Sequence, residues 1–508
     1  MRKNLKISDF LIDNNLSLLI FSVIYYVIII FLSGYLNIWE DEVYSLNTSS
    51  GSLQYAFHQS IFFEAQPPAY FLLLTLWRFI SDSILWARLF NLILIILSQF
   101  LLYQFAKDVV NRKIATISSI LFLLNPTTVF TLLEIRLFAM VILLSLVIII
   151  IFYNSYYNGK ITSGRRILFI LLAVTGLFTQ YFIGFLLFAN AVVLLIEKKK
   201  RSFWLYILDM IIPACLVLLY IPQILLSINV QTSIVPPHQK TFLFSLIEAS
   251  SVFFDRTLQY TIPLNFSALK IWIFRGVFII LVFTSLNYVG IKKEIRNLLP
   301  FIVISLVIYL FFLCVHCMFG LHYSAYKYTT VVFVPLFISA ILLFKLVKPG
   351  LLYYGLILLV LIYVTFNFKH YHELYKVNDY RSVGIYLEKK EKKGEPVFVY
   401  RNISAEIVNF YYDGINNVLP IPESFAYDKE FDPEQWEINK RDVSELSEKL
   451  VKYPSFYIIM DDTALKGFAE SKKIIMDFLL NNFKLMEEKS FKEKITLYKF
   501  SDKIDGRN

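Results

Sequence analysis

Long apolar segments alternate with short polar loops along roughly the first 370 residues of the chain. A helix needs about 20 apolar residues to cross a bilayer, so this alternation predicts about eleven membrane-spanning helices. Gln180 and Gly184 favour a break inside one long segment, which is therefore predicted as two helices. The predicted spans fall near residues 16–36, 84–106, 114–130, 134–153, 166–180, 182–196, 203–226, 271–290, 298–318, 326–344 and 350–368.

One apolar segment, QPPAYFLLLTLWRFI at 66–80, is too short to cross a membrane. Its composition predicts a helix lying in the plane of the membrane interface. The two prolines, Pro67 and Pro68, fit the start of such a helix, where backbone N–H groups lack helical partners in any case.

The pattern changes after about residue 369, where helix-like and strand-like segments alternate. DYRSVGIYLEKKEKKG predicts an amphipathic helix, PVFVY and SFYIIM predict buried strands, and KITLYKF predicts a final strand. Ser404 is predicted to cap a helix, and further helices are expected near 442–452 and 463–482. The chain thus divides into a transmembrane domain, 1–369, and a small α/β domain, 370–508. The latter has no glycine-rich phosphate loop, which favours a docking or stabilising role.

Composition supports a membrane protein. The 508 residues are 57% hydrophobic and 17% charged, with a mean hydropathy of +0.60, which excludes an ordinary soluble globular protein. The net charge of +10 lies largely in short loops, and no nucleic-acid-binding motif is visible. The charged N-terminus leads into a full-length apolar span and is predicted to be an uncleaved signal anchor.

Basic residues fall in every second loop, which predicts the topology of a multi-pass plasma-membrane protein. By the positive-inside rule these loops face the cytoplasm, and the first loop and the 370–508 domain lie outside. The basic positions are Lys107, Arg112, Lys113, Lys160, Arg165, Arg166, Lys198, Lys199, Lys200, Arg201, Lys292, Lys293, Arg296, Lys345 and Lys348.

Polar residues gather at the predicted outer ends of the helices. A carboxylate there can deprotonate an attacking hydroxyl, and arginine or lysine can neutralise a departing phosphate. This set favours transfer chemistry on a membrane-bound phosphate ester. Helix-end patches, interfacial snorkelling and ordinary interfacial histidines are the structural alternatives. The candidates are Asp41, Glu42, His58, Glu64, Glu134, Arg136, Gln180, Tyr181, His316, His322 and Lys327.

Several motifs occur in a specific order. WEDEVYS follows the first span, and EAQPPAYFLLLTLW comes next. The second span starts with Arg-Leu, the third ends with Asn-Pro, and LLEIRLFAM opens the fourth. In these motifs the chain resembles the GT-C glycosyltransferases, in particular bacterial relatives of protein O-mannosyltransferases and lipid A aminoarabinose transferases. NDYRSVGIYLEKKEKKGEPVFVY resembles the start of the extracytoplasmic domain of many members.

The resemblance implies roles for individual residues. Asp41 is expected to be the general base, with Glu42 beside it, and Glu40 is expected to face elsewhere, so that Glu40→Gln is mild. Arg136 is expected to bind the donor phosphate, assisted by Lys327, which stands where relatives often have arginine. Some members use a divalent metal, which Asp41 and Glu64 together could hold. Substrate contacts are expected from Glu64, Glu134, Gln180, Tyr181 and His322.

The resulting hypothesis is an inverting hexosyl or pentosyl transferase of the cell envelope. It would move a sugar from a polyprenyl-phosphate lipid to an extracytoplasmic lipid, glycan or protein. A flippase or transporter of lipid-linked saccharides is the first alternative, although no internal repeat is visible. A structural or sensor protein is the second.

Overall fold

A computed structural model describes residues 15–225, 291–319, 326–344, 379–422, 438, 440–461, 468–492 and 495–503. The chain divides into two compact units. The helical unit contains Met1–Gly34, Thr48–Ile61 and Ala65–Lys369, and the α/β unit contains Tyr35–Asn47, Phe62–Glu64 and His370–Asn508. The α/β unit therefore includes two short segments from the first loop besides the predicted 370–508 region.

Most of the helical unit consists of long apolar helices. Five helices are long and apolar enough to cross a membrane, and a bent pair makes a sixth candidate. The predicted class, a polytopic helical membrane protein, is confirmed. The predicted spans at 271–290 and 350–368 lie outside the described residues. The helices are Asn15–Tyr35, Leu53–Phe62, Ala69–Arg78, Ile84–Val109, Arg112–Leu124, Pro126–Leu133, Phe138–Phe152, Ser163–Leu177, Ile183–Ile196, Lys200–Leu218, Ile291–Phe319 and Tyr326–Phe344.

The predicted span 114–130 is wrong as a single helix, because the chain bends by 55° between Leu124 and Pro126. The side chain of Asn125 accepts a hydrogen bond from the Thr127 N–H at 2.9 Å and so caps the second helix. Pro126 occupies the first helical position, where it lacks only an N–H that would have no helical partner. An Asn-Pro pair therefore ends one helix and starts the next.

The predicted break inside 166–196 is confirmed. One helix ends at Leu177 and the next begins at Ile183, in a turn closed by a bond from the Gln180 N–H to the Gly176 carbonyl at 2.9 Å. A Cβ at Gly176 would lie 3.0 Å from the Ile183 side chain. A glycine at this position therefore permits the close approach of the two helices.

The short apolar segment after the two prolines forms the helix Ala69–Arg78, as predicted. Its end is fixed by a tryptophan pair with ring centroids 4.4 Å apart. The indole N–H of Trp77 donates to the Trp86 carbonyl at 2.7 Å, and that of Trp86 donates to the Trp77 carbonyl at 2.9 Å. Its placement in a membrane interface stays a prediction.

The C-terminal part of the α/β unit is built on a five-stranded sheet of order β2-β1-β3-β5-β4. Strands β1 and β2 are parallel, as are β1 and β3, whereas β5 runs antiparallel to β3 and β4. The strands are β1 Val397–Tyr400, β2 Val418–Ile421, β3 Ser455–Asp461, β4 Phe483–Ser490 and β5 Ile495–Lys503, and the helices are Tyr380–Lys390, Asn402–Asn409, Lys440–Leu450 and Phe468–Asn482.

This sheet confirms the predicted α/β character and adds two strands that the sequence analysis missed. Strand β2 has only four residues, lies at the sheet edge and contains Pro420, which weakens a strand signal. Strand β4 is mostly polar and directly follows a helix. The predicted cap at Ser404 is wrong, because the helix begins at Asn402 and Arg401 occupies the cap position.

Candidate functional site

The acidic triplet of the first loop begins a helix, Glu40–Thr48, which we call the acidic helix. The Glu42 N–H donates to the Trp39 carbonyl at 3.0 Å, and the Glu42 carboxylate accepts from the Trp39 N–H at 3.3 Å. The carboxylate contact is the half of a capping box that the N3 acid supplies, and acids in a first helical turn interact favourably with the helix dipole. The side chain of Glu42 is buried and helps to hold the start of the helix.

Glu40 is joined to the C-terminal part of the α/β unit by a salt bridge. Its Oε2 accepts from Nη1 of Arg401 at 3.2 Å, and its Oε1 accepts from the Tyr44 hydroxyl at 3.1 Å. The structure gives a reason to expect more than a mild effect of Glu40→Gln, because this carboxylate is one of two that compensate the buried guanidinium of Arg401. The substitution leaves the Asp461 pair in place but removes part of the compensation of a buried charge, which is costly.

Arg401 and Asp461 lie at the carboxyl ends of the neighbouring parallel strands β1 and β3. Nε and Nη2 of Arg401 donate to Oδ2 of Asp461 at 3.1 and 3.0 Å. The same oxygen accepts from the hydroxyls of Tyr380 at 2.8 Å and Ser404 at 3.2 Å. We call Glu40, Arg401, Asp461, Tyr380 and Ser404 the Arg401 network.

Electrostatics keep Arg401 charged despite its burial. Burial alone would lower the pKa of its guanidinium, but the charges of Glu40 and Asp461 outweigh that effect and raise the pKa. Burial and the charge of Asp461 raise the pKa of Tyr380, so its hydroxyl remains a donor. Arg401 also adopts φ of 53°, a left-handed conformation that costs about 1–3 kcal/mol for most residues. Its surroundings must therefore hold it in place.

The chain before the acidic helix has two further contacts with the C-terminal residues of this unit. The Ile38 N–H donates to the Tyr411 hydroxyl at 2.7 Å, and Nη1 of Arg381 donates to the Tyr35 carbonyl at 2.8 Å. The Arg381 guanidinium also lies 4.9 Å from the centre of the Tyr411 ring. Backbone contacts thus hold the residues just before the acidic helix, and Glu40 holds its first turn.

Asp41 and Glu64, predicted to be catalytic or substrate-binding, both belong to this unit and are half-buried. Asp41 is the second residue of the acidic helix, and its carbonyl accepts from the Ser45 hydroxyl at 3.2 Å. Glu64 follows Phe63, whose ring makes an edge contact with Tyr44 at 5.3 Å. Asp41 thus lies between Glu40, which pairs with Arg401, and Glu42, which helps to hold the start of the helix.

Glu134 and Arg136 lie in the helical unit, in a turn rather than on a helix as predicted. The helix Pro126–Leu133 ends before this Glu134–Arg136 turn, and the next helix starts at Phe138. The Arg136 N–H donates to the Glu134 carbonyl at 2.9 Å. Glu134 is half-buried and the Arg136 side chain is 8% exposed.

Asn91 fixes this turn, and the sequence analysis did not identify it. Its fully buried side-chain amide donates to the carbonyls of Thr131 at 3.3 Å, of Arg136 at 3.0 Å and of Glu134. The Tyr70 hydroxyl donates to its amide oxygen at 3.3 Å. One side chain thus satisfies the end of one helix and the turn that carries Arg136.

Of the other predicted site residues, Gln180, Tyr181 and Lys327 belong to the helical unit. Gln180 is buried and Tyr181 half-buried in the turn between Leu177 and Ile183. Lys327 is the second residue of the helix Tyr326–Phe344, and His322 lies outside the described residues. Within the ranges that the structure describes, no three His, Cys, Asp or Glu side chains form a metal-ligand group.

Comparison with known proteins gives matches among solved structures alone. No family model and no curated protein matches the chain. The fold is similar to ArnT from Cupriavidus metallidurans in the apo state, with 11% identity and a TM-score of 0.42, over 95% of this chain and 97% of that one. For ArnT bound to undecaprenyl phosphate the identity is 10% and the TM-score 0.45, over 96% and 98%.

Proposed function

We propose that this protein is a membrane glycosyltransferase of the GT-C type that uses a polyprenyl-phosphate-linked sugar. The observation that carries the proposal is the acidic helix, which follows the first apolar span after four residues. Glu42 caps this helix and Glu40 pairs with Arg401. Asp41, between them, is partly exposed and is the residue to which the family resemblance assigns general-base catalysis.

In the proposed reaction the carboxylate of Asp41 takes the proton of an acceptor hydroxyl. The acceptor oxygen attacks the anomeric carbon of the sugar from the face opposite the phosphate, forming a new C–O bond. The old C–O bond breaks, and its electron pair leaves on the polyprenyl phosphate. Attack from the opposite face inverts the anomeric configuration.

Arg136 and Lys327 are proposed to bind the donor phosphate. A guanidinium can bind two phosphate oxygens at once, whereas lysine acts as a point charge. Holding such charges in place before the reaction stabilises the negative charge on the leaving group, which is usually a large catalytic contribution. The Asn91 bonds to the turn support this role, because they fix the backbone on both sides of Ile135.

The reaction is proposed to occur on the extracytoplasmic side. The alternation of basic loops supports this topology. A reporter fused at about residue 375 should behave as extracytoplasmic. Cytoplasmic behaviour there would contradict the predicted topology.

The function is tested with purified protein in proteoliposomes. The donor is a polyprenyl-phosphate sugar labelled in the sugar, and isolated cell-envelope membranes supply acceptors. We expect label to leave the lipid and enter the acceptor fraction on thin-layer chromatography, and a nucleotide sugar to be inert. Movement of label across the bilayer with the sugar still on its lipid would instead support a flippase.

A further inference from the structure

We propose that Arg401 is a positioning residue for catalysis, which orients the first turn of the acidic helix that carries Asp41. This inference rests on the proposed role of Asp41 as general base. It assigns the C-terminal part of the α/β unit a direct influence on the reaction, where the sequence predicted only docking or stability.

Arg401 connects two segments that are far apart along the chain. The separation between Arg401 and Glu40 is 361 residues, yet both belong to one compact unit and are joined at 3.2 Å. Arg401 is 5% exposed, and its guanidinium uses different nitrogens for its two carboxylates, Nη1 for Glu40 and Nε and Nη2 for Asp461. It therefore connects the carboxyl edge of the parallel strands to the first turn of the acidic helix.

The contact between Glu40 and Arg401 fixes the orientation of the turn that carries Asp41. Glu40 and Asp41 are consecutive residues of one helical turn, so a fixed Glu40 carboxylate fixes the rotation of the turn that carries Asp41. Tyr411 and Arg381 hold the preceding backbone at Ile38 and Tyr35. Small displacements of a reacting group can cost a large factor in rate.

The charges of Glu40 and Arg401 have opposite effects on the ionisation of Asp41. A negative Glu40 beside Asp41 disfavours ionisation of Asp41, and a positive Arg401 compensates it. Replacing Glu40 by a neutral residue should lower the pKa of the catalytic base. Replacing Arg401 by a neutral residue should raise that pKa. A unit charge about 7 Å away in water shifts a pKa by about half a unit, which is the size of shift expected for each variant.

The experiment compares Glu40→Gln, Arg401→Gln and the double variant in the proteoliposome transfer assay. The acid limb of kcat/KM reports the pKa of the free enzyme's base. We expect this limb to move to lower pH in Glu40→Gln and to higher pH in Arg401→Gln, by about half a unit each. The double variant should return close to the wild-type limb.

The rates give a second readout. We expect kcat to fall about 10–100-fold in Arg401→Gln, with KM for the lipid donor changed by less than about 3-fold. Adding Glu40→Gln to Arg401→Gln should cause little further loss, because the contact is already absent. Arg401→Lys keeps the charge but cannot bridge two carboxylates in the same geometry, and should restore the pH limb more fully than kcat.

The control is Lys499→Gln, which removes a salt bridge between strand β5 and Glu395, just before strand β1. Lys499→Gln should lower the stability of the protein and leave the acid limb of kcat/KM unchanged. If Arg401→Gln fails to fold, Glu40→Gln alone decides, because it leaves the Arg401–Asp461 pair intact. The positioning role of Arg401 would be overturned if Asp41→Asn is inactive while Glu40→Gln keeps the wild-type kcat and the wild-type acid limb of kcat/KM.

Hydrogen exchange separates this inference from the proposed function. Amide exchange of residues 40–48 should accelerate in Arg401→Gln and stay unchanged in Lys499→Gln, whatever the reaction. If the wild-type protein transfers no sugar, the proposed function fails, and this exchange result still decides whether Arg401 holds the acidic helix. Unchanged exchange in Arg401→Gln would overturn that claim.

Discussion

The two units hold their candidate site segments in different ways. In the helical unit Asn91, a neutral side chain, bonds to backbone carbonyls at the end of a helix and in the turn that carries Arg136. In the α/β unit, paired charges hold the first turn of the acidic helix through the Glu40–Arg401–Asp461 contacts. A neutral amide fixes a backbone turn at modest cost, whereas a charge network responds to pH and to the loss of any one partner.

This difference assigns separate tasks to the two units. The helical unit presents Arg136 on a backbone turn that the neutral amide of Asn91 holds. The α/β unit holds the acidic helix through charges, so the properties of Asp41 depend on residues far along the chain. Substitutions in the first unit should therefore act on binding or folding, and those in the second should also change pH dependence.

Apart from loss of the general base itself, the largest effect is expected at Arg136. Arg136→Ala should reduce transfer about 10²–10³-fold, because a preorganised charge for the donor phosphate is lost. Arg136→Lys should recover only part of the activity, since lysine lacks the guanidinium fork. The measurement is kcat/KM for the lipid donor in proteoliposomes.

Arg78→Ala is the matched control for this prediction, since Arg78 is 7% exposed and Arg136 8%. Arg78 donates to Ser49 and Asp82, so its loss should lower stability without selective loss of donor use. Wild-type activity in Arg136→Ala would show that Arg136 serves helix-end packing.

The second effect is on folding of the helical unit. Asn91→Ala should lower the free energy of unfolding by about 2–3 kcal/mol, because buried carbonyls at Thr131, Glu134 and Arg136 lose their donor. Ser98→Ala, on the same helix and equally buried, removes only a bond to the Leu94 carbonyl and should be much milder. Equal losses of thermal stability in detergent would contradict the role of Asn91.

The third effect is the pH dependence of the α/β unit. Burial alone would raise the pKa of Glu395, but donors from Lys499, Ser455 and the Lys392 N–H outweigh it and lower the pKa below 4.5. A lowered pKa stabilises the fold above pH 4.5, and this contribution disappears as the pH falls through the folded-state pKa.

Glu395→Gln tests this account. It should cost about 1–2 kcal/mol of unfolding free energy at neutral pH and flatten the acid side of the stability curve. The measurement is the unfolding transition of the full chain in detergent between neutral pH and about pH 3, followed by a probe in the sheet. A variant that loses stability in parallel with the wild-type protein across this range would contradict it.

The smallest effect is expected at Ser404. Its hydroxyl is one of several donors to Asp461, with Arg401 and Tyr380. Ser404→Ala should therefore cost about 0.5–1.5 kcal/mol of unfolding free energy and leave transfer close to wild type. A loss as large as that of Arg401→Gln would show that the hydroxyl is essential to the Arg401 network.

The apolar spans, the break near Gln180, the short helix at 69–78 and the α/β character could be predicted, because each follows from local periodicity or breakers. The Asn-Pro pair at 125–126 was identified as the end of a span, but the predicted bounds 114–130 ran past it and missed the bend, although such a pair is a recognised helix boundary signal. The edge strand β2 was missed because four residues with a proline give little pattern.

The candidate site was predictable only in part. Asp41 and Arg136 were identified through motifs, yet the partners Asn91, Arg401 and Asp461 were not. Local patterns carry no signal for a pair separated by 361 residues. A weaker signal was present, since Arg401 follows a predicted strand and Asp461 follows another, and residues at the carboxyl ends of parallel strands meet at one edge.

The most direct test of the account is the transfer rate of Asp41→Asn per folded enzyme, measured beside Asp82→Asn, the same substitution at a surface position. The asparagine keeps the size of the side chain but cannot take a proton. The account predicts a loss of about 10²–10⁴-fold for Asp41→Asn, with normal folding, and no loss for Asp82→Asn. Near-normal transfer by a folded Asp41→Asn protein would contradict the account, and Glu42 and Glu64 would then be the acids to test.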